Sequence, residues 1–159
     1  MTRRLTILLA LLLLPGAARA TAFDDAMKAV AAGNHAAALP LFESALSADP
    51  DDLKSANEYR KAVIRTKEYD RAIAFFDKLT AQHPQAAYAW LNFGYTYVDK
   101  IPDAGSITQV ILANNALTNF SKSIELTVER AFGGHGGDPT FAQMIDTPEL
   151  WSEYADAFA

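Results

Sequence analysis

The sequence contains no cysteine. No disulfide can staple the chain, no thiolate can hold a metal or act as a nucleophile, and no lipid can be attached at a cysteine behind an export signal. Histidine is almost as scarce, with His35, His83 and His135 as the whole complement. None stands at a His-x-x-His or His-Glu spacing, whereas a metal centre needs two or three converging ligands. The reading is therefore no metal and no cofactor. Basic residues are in deficit, 14 Lys and Arg against 19 Asp and Glu, for a net charge of −5. That balance argues against nucleic acid, whose phosphate backbone needs clustered positive charge, and disfavours adsorption on anionic lipid. No serine or threonine has a recognisable base partner, and Gly133–Gly137 lacks the strand before and the Lys-Ser/Thr after that a phosphate loop requires. No catalytic residue is expected, and the chain is not read as an enzyme.

The one long apolar run is Leu5 to Leu14, too short to span a bilayer, which takes roughly 20 residues. It follows Met1-Thr2-Arg3-Arg4 and precedes Pro15-Gly16-Ala17-Ala18-Arg19-Ala20. A basic start, an apolar core and an Ala18-x-Ala20 pattern read as a signal peptide over residues 1–20, cleaved after Ala20. The residues after Arg3-Arg4 favour general secretion over a twin-arginine route. The expected location is the periplasm or the exterior, with no stable membrane insertion after cleavage; an uncleaved anchor is the rival. Losing Arg3, Arg4 and Arg19 leaves 11 basic residues against 19 acidic ones, a net charge of −8. The 139 residues left of 159 suffice for one domain that buries about two-thirds of its unfolded surface without disulfides.

What organises those residues is a copied pattern. Trp90, Phe93 and Tyr97 stand at i, i+3 and i+7, three rings on one helical face, and Gly94 beside them leaves a notch for a second helix. Glycine inside a helix costs about 1 kcal/mol relative to alanine, so close packing is its expected reason. Upstream, aligning Gly33–Pro50 with Lys67–Pro84 superposes Ala38 on Ala72, Phe42 on Phe76, Ala45 on Leu79 and Pro50 on Pro84, always 34 residues apart. The same register puts Trp90, Phe93, Gly94 and Tyr97 at positions 4, 7, 8 and 11 of a third copy. In period, residue types and helix order this resembles the tetratricopeptide repeat. The resemblance covers roughly residues 22–126.

The implied fold is all-α: three tetratricopeptide-like helical hairpins in a right-handed α-solenoid, with an elongated helix B in the third repeat and a C-terminal capping helix. The repeats span about 21–52, 53–86 and 87–130. Helix A of the first, near Ala22–Ala32, carries Phe23, Met27 and Val30 but no Trp or Gly signature. Helix B contains Pro40, which removes one backbone donor. Asp24-Asp25 and Asp51-Asp52 are read as caps at helix starts, and Asp70 as a cap for helix B of repeat two. The third repeat carries a ten-residue insert beginning Lys100-Ile101-Pro102-Asp103-Ala104-Gly105. Beyond it, Ile107, Val110, Ile111, Asn114, Leu117, Phe120 and Ile124 share one face of a helix capped by Ser106 and about 20 residues, or 30 Å, long. Its extra turns must pack on something. Residues 131–159 read as a glycine-rich linker and a helical cap carrying Phe141, Met144, Leu150, Trp151, Tyr154 and Phe158.

Proteins of this family usually hold ligands on the concave face built by helix A. Carried over by register, those positions are Lys54, Asn57, Lys61, Ile64 and Arg65 from repeat two, and Tyr88, Leu91, Tyr95, Val98 and Asp99 from repeat three. Three cations, a carboxamide and two rings suit a peptide carboxylate or an acidic segment. The family's carboxylate-clamp pattern is not reproduced residue for residue. The resemblance thus implies a non-catalytic scaffold that binds a protein or peptide in its groove. The alternatives are a self-associating homodimer that uses the C-terminal helices, and a small metal-dependent or hydrolytic protein built around His135.

Overall fold

Among the described residues the same backbone event occurs twice, 34 residues apart. Gly33 has φ 74° and Lys67 has φ 61°, and each turns the chain out of one helix and into the next. Left-handed backbone after a helix end lets the last carbonyls find donors, and the amide of Lys67 reaches Val63 O at 2.8 Å. The computed structural model describes residues 15–132. The expected linker and cap over 133–159, and most of the expected signal peptide, lie outside them. Among the described residues there are six α-helices, one 3₁₀ turn and no strand. They are α1 (Pro15–Ala31), α2 (His35–Ala48), α3 (Leu53–Thr66), α4 (Tyr69–Gln82), α5 (Ala87–Lys100), the 3₁₀ turn Ile101–Asp103, and α6 (Ser106–Phe132). The fold is an all-α array of tetratricopeptide-like hairpins.

The aligned apolar positions form its core. Ala38, Phe42 and Ala45 on α2 and Ala72, Phe76 and Leu79 on α4 are all buried. Phe42 packs on Phe23 of α1, ring centroids 6.0 Å apart. Phe76 sits between hairpins, 5.7 Å from Tyr59 of α3 and 6.1 Å from Phe93 of α5. In the third copy Ala116 and Ser123 are buried, but Phe120 is only half-buried. The rings of Tyr59, Phe75 and Phe76 wedge α3 and α4 apart. The backbones of α5 and α6 approach much more closely, because Gly94 and Ala116 take little room where they meet.

Several local expectations are corrected. Gly94 does not share a partner with the ring stripe. Phe93 faces Phe76 on α4, whereas a Cβ on Gly94 would lie 2.5 Å from the Phe120 ring on α6. Asp24 and Asp25 lie inside α1, which starts at Pro15, so they cap nothing; Asp25 pairs with Lys28 at 2.7 Å. Asp70 is not the cap of α4 either. The turn is only Lys67-Glu68, so Asp70 falls in the first helical turn and pairs with Lys100. Asp52 does cap α3, accepting from Lys54 N at 3.2 Å. Asp51 works at longer range: it accepts from Tyr88 N at 2.7 Å, capping α5 across the repeat boundary, and also pairs with Arg130. Helix α5 has no side-chain cap of its own, so this borrowed one satisfies an amide left open at its N-terminus.

Helix α6 departs furthest from expectation. It has 27 residues rather than about 20 and runs through Phe132. Gly105 O accepts its first bond, from Gln109 N at 2.9 Å, so Ser106 is its first helical residue and not its cap. Phe120 opposite Gly94 and Arg130 against Gln85 fix an antiparallel register with α5. On that register residues 106–113 run past the end of α5 by roughly 12 Å. The face packed on α5 is also not the aliphatic one. Leu112, Ala116, Asn119, Ser123 and Leu126 are buried, while Ile107, Val110, Ile111, Leu117 and Ile124 are exposed. Small side chains on the packed face allow the close approach at Gly94, and that choice turns the larger aliphatics outward.

Candidate functional site

Helix α3 is the middle of the helix A surface, with α1 on one side and α5 on the other. On its α1 side, Val30, His35, Glu58, Lys61, Ala62, Ile64 and Arg65 line a cleft of about 360 Å³. Val30, Ala62 and Ile64 supply apolar wall, and Lys61 and Arg65 supply charge. Lys61 is paired with Glu58 at 2.7 Å, one helical turn away on the surface. Such an exposed pair is worth about 0.3–0.5 kcal/mol, so a ligand carboxylate can displace it. Arg65 makes no ion pair with any described residue, and its guanidinium keeps its full set of donors. His35, the first residue of α2, lines the same cleft; its Nδ1 is buried and has no hydrogen-bond partner among the described residues.

The remaining positions carried over by register do not join this cleft. Lys54 lies over the Phe23 ring of α1 at 4.5 Å, so its charge is already engaged. Asn57 is exposed. On the α5 side, Tyr88, Tyr95 and Val98 are exposed and Leu91 is half-buried. Tyr95 is held from two directions, by the Arg60 guanidinium at 4.5 Å and by the Phe120 ring at 5.1 Å edge-on. Arg60 also grips Asp99 through Nε and, at 3.1 Å, through Nη2. The hydrogen bond to Asp99 holds its guanidinium even further toward the charged form than usual. Arg60 was absent from the sequence-derived set, although its partner Asp99 was in it. The expected single basic groove is therefore two patches: an α1–α3 cleft with Lys61, Ile64 and Arg65, and an α3–α5 patch where Arg60 fixes Tyr95.

Among the described residues no three His, Asp or Glu side chains converge, and no helix is long and apolar enough to cross a membrane. His135 lies outside the described residues. A family model described as tetratricopeptide repeat matches residues 29–91, from the end of α1 into the second turn of α5. That match supports a tetratricopeptide-repeat protein over this stretch of the chain. No curated protein matches it. The matched stretch holds both left-handed turns, both buried phenylalanines at the 34-residue period, and the whole α1–α3 cleft. Repeats of this family are protein-interaction scaffolds and generally non-catalytic.

Proposed function

We propose that this tetratricopeptide-repeat protein is a non-catalytic scaffold of the periplasm or cell exterior that holds a peptide segment of a partner protein on its helix A surface. The observation that carries the reading is the α1–α3 cleft, where Arg65, with no ion pair among the described residues, and the weakly paired Lys61 flank the apolar wall of Val30, Ala62 and Ile64. That combination suits a short segment with one apolar side chain next to an aspartate, a glutamate or a C-terminal carboxylate. Arg65 offers a bidentate fork, and Lys61 adds charge once Glu58 is displaced. Tyr95, held flat by Arg60, extends the surface toward α5 for a longer ligand, with Tyr88, Leu91 and Val98 beside it.

Export rests on the residues before Thr21 and is tested separately. Cleavage after Ala20 leaves Thr21–Ala31 of α1, which still carries Phe23, Ala26, Met27 and Val30 into the core. N-terminal sequencing of the chain recovered from the envelope should read Thr21 first; an intact Met1 end in the cytoplasm rejects export. For the cleft, a fluorescent peptide array of acidic-apolar sequences should bind the mature chain, and the Lys61→Glu/Arg65→Glu variant should lose that binding. Equal binding by both proteins rejects the cleft. Capture of partners from envelope extract with the same pair then identifies the natural segment.

A further inference from the structure

The outward face of α6 has a spacing of its own. Ile107, Asn114, Ser121 and Val128 recur every seven residues, and so do Val110, Leu117, Ile124 and Ala131, offset by three. Two interleaved sevens with an offset of three form the a/d seam of a coiled coil. The seam is open: Ile107 is 82% exposed, Val110 62%, Leu117 63% and Ile124 58%, with Ile111 beside it at 55%. It lies nearly opposite the Leu112, Ala116, Asn119, Ser123 and Leu126 face packed on α5, so a second helix can dock without disturbing the array.

We infer that this seam is an interface between two copies of the chain, paired α6 to α6 in parallel about a two-fold axis. Three features favour a second copy. From Ser106 to Ser121 the helix carries no charged residue, although the chain has a net charge of −5. This uncharged stretch is where two like-charged copies meet without repulsion, and it gives no handle to a charged partner. The pattern is also self-complementary. Parallel pairing puts Asn114 on Asn114 and Ser121 on Ser121, whereas antiparallel pairing sets them against Leu or Ile; a lone Asn at such a position specifies a parallel dimer. Finally, the size is adequate. A 27-residue helix offers a seam about 40 Å long, and two copies together approach the roughly 1,200 Å² at which specific interfaces begin.

The test is sedimentation velocity on the full mature chain over about 1–200 µM. A reversible dimer is expected, and Leu117→Glu should raise its dissociation constant at least about 100-fold by placing an unpaired charge in the seam. Leu117 is exposed in the single chain, so circular dichroism of the variant should be unchanged, which separates lost pairing from lost folding. Register is read by Asn114→Cys in a chain that has no other cysteine: mild oxidation should give a covalent dimer, and Glu129→Cys, off the seam, should not. A monomer at every concentration overturns the inference, and seam protection from hydrogen exchange in that monomer would assign the face to residues 133–159 instead. A dimer indifferent to Leu117→Glu overturns it equally, and failure of Asn114→Cys to cross-link rejects the parallel arrangement. None of these outcomes bears on peptide binding in the α1–α3 cleft.

Discussion

Gly94→Ala pits two opposing magnitudes against each other at one atom. On helix propensity alone the substitution stabilises α5 by about 1 kcal/mol. The added Cβ, however, would stand 2.5 Å from Cε1, 2.6 Å from Cδ1 and 3.1 Å from Cζ of Phe120. The ring cannot yield freely, because it packs edge-on against Tyr95, which Arg60 holds on its other side. Forcing a methyl into such a site costs about 1–3 kcal/mol. The net effect expected is a loss of about 1 kcal/mol, or roughly 4 °C in melting temperature. Removing the obstacle should reverse the sign. In a Phe120→Ala background the three nearest atoms are gone, so Gly94→Ala should stabilise by about 1 kcal/mol, a swing of about 2 kcal/mol between backgrounds. Urea unfolding of the four proteins, followed by far-ultraviolet circular dichroism, gives the coupling directly. If Gly94→Ala stabilises the parent, or shifts both backgrounds by the same amount, the α5–α6 contact is not what makes glycine necessary.

Four further outcomes follow from the geometry. Lys67→Gly should stabilise by about 0.5 kcal/mol, because it relieves a left-handed non-glycine residue at φ 61° and gives up only an exposed pair with Asp103 and a cation–π contact 5.6 Å from the Tyr69 ring. Gly33→Ala should destabilise by about 1 kcal/mol through backbone strain alone, since no atom lies within 4 Å of the new Cβ. Thermal melts of these two variants must move in opposite directions. Asp51→Ala should cost about 1–2 kcal/mol, as the cap on Tyr88 N and the pair with Arg130 go together, and Asp51→Asn should recover about half by keeping an acceptor oxygen. Stability should also fall above about pH 10. Burial first, and then the Glu43 carboxylate, push the Tyr59 hydroxyl well above the usual tyrosine range. The unfolded chain therefore releases that proton while the folded chain keeps it, and stability declines by up to about 1.4 kcal/mol per pH unit. Tyr97, raised by burial, adds the same sign, so Tyr59→Phe should flatten part of the slope in alkaline urea titrations and not all of it.

The period of 34 was legible because apolar side chains repeat wherever a hairpin repeats, and the positions it aligned, Phe42 and Phe76 above all, are buried. The faces of α6 were harder to read. Hydropathy alone sends Ile107, Val110, Leu117 and Ile124 inward, but Gly94 admits only a close neighbour, and the small face of α6 comes closer than the aliphatic one. Helix starts misled for a different reason. Local logic assigns an acidic residue to the nearest helix, and it succeeds for Asp52 but fails for Asp51, whose amide partner is 37 residues away. Arg60 was overlooked at the candidate site because register positions select residues that face a ligand, and Arg60 faces Asp99 and Tyr95 instead. The cleft was half visible: Lys61, Ile64 and Arg65 came from the register, but His35 and Val30 belong to the preceding hairpin, and one repeat cannot reveal what its neighbour contributes.

A signal for the missing contacts does exist in the sequence, at the scale of the repeat and not of the helix. Five polar ties between hairpins join Glu43 to Arg71 over 28 residues, Asp70 to Lys100 over 30, Lys67 to Asp103 over 36, Asp51 to Tyr88 over 37 and Arg60 to Asp99 over 39. These five lie within about two helical turns of the 34-residue period, whereas Tyr59 meets Glu43 over 16 residues and Arg130 reaches Gln85 over 45 and Asp51 over 79. Stacking one module on the next puts equivalent points of neighbouring hairpins side by side, so a charge can find its partner about one repeat away. The two kinds of contact then divide the labour by position. Rings at the period, Phe42 and Phe76, fill the interior and supply most of the stabilisation, whereas the charges ring the edge, where a solvated pair contributes little net energy. What an edge pair does fix is rotation, because Arg60 can hold both Asp99 and Tyr95 at only one angle between α3 and α5. That angle sets the width of the surface on which Lys61, Arg65 and Tyr95 are presented, so the ties that matter least to stability are the ones that shape the candidate site.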